Sequence, residues 1–292
     1  MPNLKEVRNR ISSTISTQQI TKAMKLVSAT KLRKAQSAIM QMRPYADKLN
    51  GVLQNLADSV DDEKLARYFK TQTLNKVLVV VVTSDRGLCG GFNANVIKRT
   101  KALLDNDYAA LVAKKQVELL FIGKKGFEGL KKYDLPFNTS FMHTFSDLNA
   151  GAGFEIGDFV LSQYLSGQYQ QVEVVYNKFK NAATQIITCD TMLPVTLNVA
   201  SKAKQTNDYI FEPNKVEILE ELIPRSVKTQ LYRSLLDSFA SEHGARMIAM
   251  DKATDNAGEI LKQLKLQYNR GRQAAITNEI SEIVGGAAAL NG

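Results

Sequence analysis

The chain has 292 residues, 44% of them hydrophobic, with 38 Lys and Arg against 29 Asp and Glu for a net charge of +9. That is enough apolar material for a real core in one or two domains, and no run of about 18 apolar residues occurs that could span a membrane. Two cysteines (Cys89, Cys189) and two histidines (His143, His243) lack metal or disulfide spacing, which argues against metal, thiol or histidine chemistry and for a reducing compartment.

Residues 3 to about 57 read as a helix. From Leu32 the apolar spacing runs through Ala35, Ile39, Met42, Ala46, Leu49, Leu53 and Leu56 in alternating steps of three and four, a coiled-coil seam with Pro44 as an expected kink. Leu4, Val7, Ile11, Ile15, Ile20, Met24 and Val27 continue the stripe less regularly. The N-terminus has no signal-peptide core, and its basic amphipathic pattern runs on past any plausible cleavage point. Lys5, Arg8, Arg10, Lys22, Lys25, Lys31, Arg33, Lys34, Arg43 and Lys48 face only Glu6 and Asp47 over residues 1–57, a balance of +8. Such a stripe seeks an acidic partner: nucleic acid, anionic lipid or an acidic protein surface.

The middle of the chain changes period. The stretches 76–85, 116–123, 171–178 and 184–190 read as strands, with helical patterns at about 94–113, 123–132 and 152–167 between them. That alternation predicts a mostly parallel α/β sheet ending in a hairpin-like pair. Residues 200–215 read as a polar linker.

The last block is helical again. No proline lies between Pro224 and Gly292, and Val227, Leu231, Leu235, Phe239, Arg246, Ala249, Ala253, Ala257, Ile260, Leu264, Tyr268, Gly271 and Ala275 fall mostly at helical steps. A helix over 225–284 is roughly 90 Å long at about 1.5 Å per residue, so much of it must project from a domain of this size. Its Ala- and Gly-rich seam suits a slim antiparallel pairing with the N-terminal helix. The apolar Ile276, Ile280, Ile283, Val284 and Leu290 near the chain end call for a hydrophobic socket on another molecule.

Two glycine-rich stretches lie where chemistry could sit. "SDRGLCGGFNAN" (84–95) follows the first strand, where a phosphate loop would lie. It has neither the glycine–lysine pair of a phosphate loop nor dinucleotide spacing, so it reads as a turn needing positive φ. "IGKKGFEGL" (122–130) resembles the clamp of an RNA-binding module but reads as a strand-to-helix turn. Cys89 reads as a small buried hydrophobe and His243 as a surface or interface residue. Before Tyr45 no aromatic interleaves the basic residues, so base stacking has no platform. The residues alone leave open an α/β nucleotide-binding enzyme and a basic coiled-coil nucleic-acid-binding protein.

Three long stretches in order carry a resemblance: "LKEVRNRISSTISTQQITKAMKLVSATKLRKA", "SDRGLCGGFNANV" and "ARMIAMDKATDNAGEILKQLKLQYNRGRQAAITNEISEIVGGAAAL". Over essentially its whole length the chain resembles the gamma subunits of F-type ATP synthases. The resemblance implies an antiparallel coiled coil of 1–57 with 208–290 and a Rossmann-like α/β domain over 75–195. It implies a central rotor shaft with no catalytic residues, no cofactor and no metal, which couples ion-driven c-ring rotation to the beta-subunit catalytic sites. The implied partners are the alpha and beta subunits, the epsilon subunit and the c-ring, with no nucleic acid, and with membrane contact only through the c-ring. The implied place is peripheral, on the cytoplasmic face of a bacterial inner membrane. Lys22, Met24 and Lys25 match the segment facing an acidic loop of a beta subunit. Arg246, Gln273 and Thr277 match shaft positions engaging the hexamer, and Ile276, Ile280, Ile283, Val284 and Leu290 match the tip in its apolar bearing. Tyr209 and Glu212 match the foot that meets the c-ring. No regulatory insertion with a cysteine pair is present, so no thiol switch is expected.

Overall fold

The computed structural model describes residues 4–57, 63–69, 73–195 and 214–290. Two helices frame the chain, α1 (Leu4–Ala57) and α7 (Lys215–Leu290). Between them lie α2 (Glu63–Phe69), β1 (Val77–Val82), α3 (Phe92–Ala102), α4 (Ala109–Ala113), β2 (Val117–Ile122), α5 (Lys124–Leu130), β3 (Phe137–Asn138), α6 (Ala150–Leu165), β4 (Gln171–Phe179) and β5 (Gln185–Leu193). Contacts divide the chain into two compact units: Met1–Ser28 with Met247–Gly292, and Ala29–Arg246.

The Ala29–Arg246 unit is built on a five-stranded sheet of order β3-β2-β1-β4-β5. The first three pairings are parallel and β4–β5 is antiparallel, as the alternation of elements predicts. β1 is central and buried on both faces, which is why its sequence is an unbroken VLVVVV rather than an alternation. Leu78, Val80 and Val82 enter a core closed by α6 and by Leu49, Leu53, Leu219, Ile223, Val227, Leu231 and Leu235. Val77, Val79 and Val81 enter a second core with Val96, Leu103, Leu104, Tyr108, Phe121 and Leu130.

Three boundaries differ from expectation. The helix expected over 94–113 is interrupted by a π turn at Leu103–Asp107. The wider turn brings Tyr108 into the core, where its hydroxyl donates to buried Glu173 at 2.6 Å. α7 starts ten residues before the expected 225 and runs through Pro224, because Leu219 and Ile223 before the proline and Val227 after it are all buried. Asn214 caps it: its side-chain oxygen accepts from the Glu217 amide at 2.9 Å while its amide donates to the Glu217 carboxylate at 2.7 Å. The two-residue β3 is too short to show periodicity. The polar linker expected at 200–215 lies almost wholly outside the described residues.

In the Met1–Ser28/Met247–Gly292 unit the two helices run antiparallel, with Leu4 beside Gly271, Gln18 beside Gly258 and Lys25 paired with Asp251. Here the expected seam needs correction. Val7 is buried and Leu4, Ile11 and Met24 are half-buried, but Ile15, Ile20 and Val27 face outward. The inward positions are Thr14, Gln18, Thr21, Lys25 and Ser28, which keep the same three-and-four spacing with polar side chains. On α7 the half-buried residue is Leu261, and Ile260 is exposed. Periodicity sought among apolar residues alone slips off such a seam.

Candidate functional site

The glycine loop between β1 and α3 is a docking turn. Leu88 and Gly90 take positive φ, as the turn reading requires. Asn93, on the first turn of α3, staples it: its oxygen accepts from the Ser84 amide at 3.0 Å and its amide donates to the Ser84 hydroxyl at 2.7 Å. What the loop offers to a charged group is carbonyl oxygen. The Arg246 guanidinium donates to the carbonyls of Arg86 (3.0 Å) and Gly87 (3.3 Å). A loop that turns acceptors toward a cation has the wrong polarity for a phosphate, which needs N–H donors.

Arg246 is expected on the partner-facing shaft, but its guanidinium is committed inside the Ala29–Arg246 unit. It is 7% exposed and pairs with Glu242, one turn back on α7, at 2.6 Å. Burial holds the Glu242 carboxyl above its ordinary range, against the pull of Arg246. His243 lies beside them, edge-on to Phe239, with Nδ1 3.4 Å from Arg246. Burial first, then the charges of Arg246 and Lys31, push its pKa down to about 3, so the ring is neutral. The next residue explains the tight fit: a Cβ on Gly244 would lie 3.1 Å from the Ala182 backbone in the β4–β5 turn. Ser241 donates to the Asn177 carbonyl at 3.0 Å, and Asn177 donates to the Phe92 carbonyl at 3.3 Å. This buried polar buckle of Glu242, His243, Arg246, Ser241 and Asn177 is not legible as a group in the sequence. The i,i+4 spacing of Glu242 and Arg246 is its one local signal.

Neither cysteine is an activated nucleophile. Cys89 packs with Phe92 and Ala245, and burial raises its thiol pKa. Cys189 donates to the Glu173 carboxylate at 3.2 Å and is pushed up to about 12, mainly by burial. In the second glycine stretch, Gly123 sits at φ 96 with the Thr83 carbonyl oxygen only 2.0 Å from where a Cβ would be. Thr83 in turn accepts from the Gly126 amide at 2.8 Å, and Lys125 pairs with Glu128 at 2.6 Å. The stretch closes α5 onto β1, as the strand-to-helix turn reading expects. Among the described residues no group of three or more His, Cys, Asp or Glu could hold a metal, and no helix is long and apolar enough to cross a membrane.

The outward surfaces of the helix pair carry the remaining expected residues. Lys22 is exposed and Met24 half-buried, while Lys25 reaches across to Asp251 at 2.5 Å. Gln273 and Thr277 are exposed, with the Thr277 hydroxyl donating back to the Gln273 carbonyl at 2.9 Å. Beyond them Ile276 (46% exposed), Ile280 (56%), Ile283 (71%) and Val284 (62%) fall at steps of four, three and one, a single aliphatic stripe on α7. The Leu290 side chain, Tyr209 and Glu212 lie outside the described residues. Exposed Ile20, Leu26, Val27 and Leu266 belong with these surface apolars, although the apolar spacing puts Ile20 and Val27 in the seam.

The family model described as ATP synthase matches residues 3–290. The ATP synthase gamma chain of Cytophaga hutchinsonii is 55% identical over the full length of both chains, and that of Flavobacterium johnsoniae 54% identical over the same extent. Among solved structures, a chain of the Tetrahymena thermophila mitochondrial ATP synthase central stalk and c-ring is 27% identical, with a TM-score of 0.58 over 80% of this chain and 99% of that one. A chain of the Euglena gracilis mitochondrial ATP synthase rotor shares the fold at 18% identity, with a TM-score of 0.63 over 94% and 98%.

Proposed function

The chain belongs to the ATP synthase gamma-chain family, and from that premise we propose how its surfaces serve a rotor. It is the central-stalk subunit of an ATP synthase and is itself non-catalytic; nucleotide chemistry resides in the beta subunits of the surrounding alpha/beta hexamer. Rotation of the c-ring turns the shaft, which offers a different face to each beta subunit in turn. Each catalytic site then shifts between open and closed states according to the face it meets, because one rotor orientation binds the two states unequally.

The observation that carries the placement of contacts is the aliphatic stripe Ile276–Ile280–Ile283–Val284, exposed on a helix whose other end is densely buried. An apolar stripe of this kind is stable in water only when covered, and an apolar bearing at the far end of the hexamer covers it, with Leu290 continuing the tip. Gln273 and Thr277, just before the stripe, meet the bore. Lys22 and Met24 face the acidic loop of a beta subunit. Lys25 contributes there through its pairing with Asp251, beside the exposed Lys22. Arg246 acts at one remove, by holding the 84–93 loop on α7. Tyr209 and Glu212, with the α/β domain of 75–195, form the foot toward the epsilon subunit and c-ring. The assembly is peripheral to the cytoplasmic face of a bacterial inner membrane.

Two experiments test this reading. Co-expressed with alpha and beta subunits, the chain is expected to co-purify as one ATPase; free chain beside a chain-free complex would refute it. Met24→Lys adds a cation next to Lys22 where an acidic loop approaches, and is expected to leave assembly intact while lowering ions pumped per ATP hydrolysed. Unchanged coupling removes Met24 from the contact.

A further inference from the structure

The polar interior of the helix pair is organised around two threonines. Thr21, buried on α1, and Thr254 on α7 bring their hydroxyl oxygens to 2.8 Å. Thr254 also lies 2.7 Å from the Met250 carbonyl, and Thr21 lies 3.0 Å from the Gln18 carbonyl. Carbonyls only accept, so two hydroxyl protons serve three short oxygen–oxygen contacts, and one proton must lie between the threonines for 2.8 Å to be attractive. One turn along α1, the Gln18 amide donates to the Thr254 carbonyl at 3.4 Å. Gly258 leaves it room, since a Cβ there would stand 3.1 Å from the Gln18 amide nitrogen. One turn the other way, Lys25 and Asp251 close at 2.5 Å.

We propose that Gln18, Thr21 and Lys25 on α1, with Asp251, Thr254 and Gly258 on α7, form a clasp that fixes the axial register of the two helices. An aliphatic seam is non-directional and has neighbouring registers of similar burial. A polar seam discriminates among them, as a single buried polar residue does in a coiled coil. A slip of one helical turn, about 5.4 Å, would set Thr21 against Met250 or Gly258, neither of which offers a hydroxyl; Lys25 would face Met247 in the first case and Asp255 in the second, so the threonine pair carries the discrimination in both directions. The aliphatics nearest the threonines add little to the register, because Ile15, Ile20, Leu26 and Val27 point away from the interior, and inward Val7 and Ile11 pack without direction. The clasp residues are thus positioning residues. They hold Lys22 and Met24 at a set height against Gln273 and Thr277, a consequence that rests on the rotor reading above.

The test uses the full chain carrying spin labels at exposed Ser13 and Glu279, set about 25 Å apart along the helix axis so that an axial slip changes their separation, with Cys89 and Cys189 replaced by alanine. Thr21→Val with Thr254→Val keeps the shape of both side chains and deletes both hydroxyls. Thr21→Ser with Thr254→Ser keeps the hydroxyls. The parent and the serine pair are expected to give one narrow label-to-label distance. The valine pair is expected to give a broadened distribution with a component displaced by up to about 5.4 Å. An unchanged narrow distance in the valine pair overturns the clasp; if that pair fails to fold, Thr21→Val alone is read in the same way. In the reassembled ion-pumping enzyme, the valine pair is expected to pump fewer ions per ATP hydrolysed, and the serine pair to match the parent. A displaced distance with unchanged pumping supports the clasp and contradicts the rotor reading of these helices, so the two failures are separable.

Discussion

The two compact units place polar and apolar groups in opposite ways. In Ala29–Arg246 the central strand β1 is shut in on both faces, and even the charges of Glu242 and Arg246 are paired out of water. In Met1–Ser28 with Met247–Gly292 the interior holds threonine, serine and glutamine beside Val7, Met250 and Ala257, while Ile20, Val27, Ile280 and Ile283 meet solvent. The first pattern is that of a unit that stands by its own core. The second is that of a surface completed by other subunits, where apolar side chains are held outward for a partner and register is kept by hydrogen bonds within.

The largest effect expected from this contrast is in the sheet. Phe121→Ala, at a fully buried position, should cost about 3–5 kcal/mol in urea unfolding followed by tyrosine fluorescence, the chain having no tryptophan. A loss under about 1 kcal/mol would mean the core is far looser than its burial. Next comes Arg246→Ala, which strands the buried Glu242 carboxylate and should cost about 3 kcal/mol, whereas Glu242→Leu with Arg246→Met should fall close to the parent. Equal losses in the two variants would show that the guanidinium's loop contacts, and not charge pairing, dominate.

A pH effect follows in size. The folded pKa of His243 lies near 3, below the ordinary 6.5, so the unfolded chain takes up a proton first as pH falls. Its contribution to stability is complete above about pH 6.5 and is lost as pH falls from there toward 3. His243→Gln should therefore flatten the acid limb of the unfolding curve. An acid limb parallel to the parent's would place the sensitivity elsewhere. The smallest effect is expected on the helix pair: Ile20→Ser should change stability by no more than about 0.5 kcal/mol, because the side chain is 59% exposed. A loss as large as that of a core residue would show that Ile20 is covered within the chain, and would blur the contrast between the units.

Legibility in the sequence followed the same division. The strands, their order of alternation and the two long helices were readable because apolar side chains repeat where packing is apolar, as in VLVVVV or Leu32–Leu53. Reading failed where the inward residue was polar. Thr21 and Ser28 sit on the seam, and nearby Ile20 and Val27 drew the stripe off it. Pro224 suggested a boundary that the burial of Leu219 and Ile223 overrides, although Asn214 and Glu217 held the correct capping signal. The buckle around Arg246 joins α7 to loops some 160 residues earlier, a pairing that no local pattern encodes. The aliphatic stripe at the chain end was visible, because apolar residues at a terminus are unusual enough to stand out alone.

The most direct test of a rotor is to watch it turn. With the alpha/beta hexamer fixed to a surface and a bead attached to the exposed face of this chain's α/β unit, ATP should drive stepwise rotation in one direction. Steady ATP hydrolysis by the same complexes with the bead at rest would contradict the account.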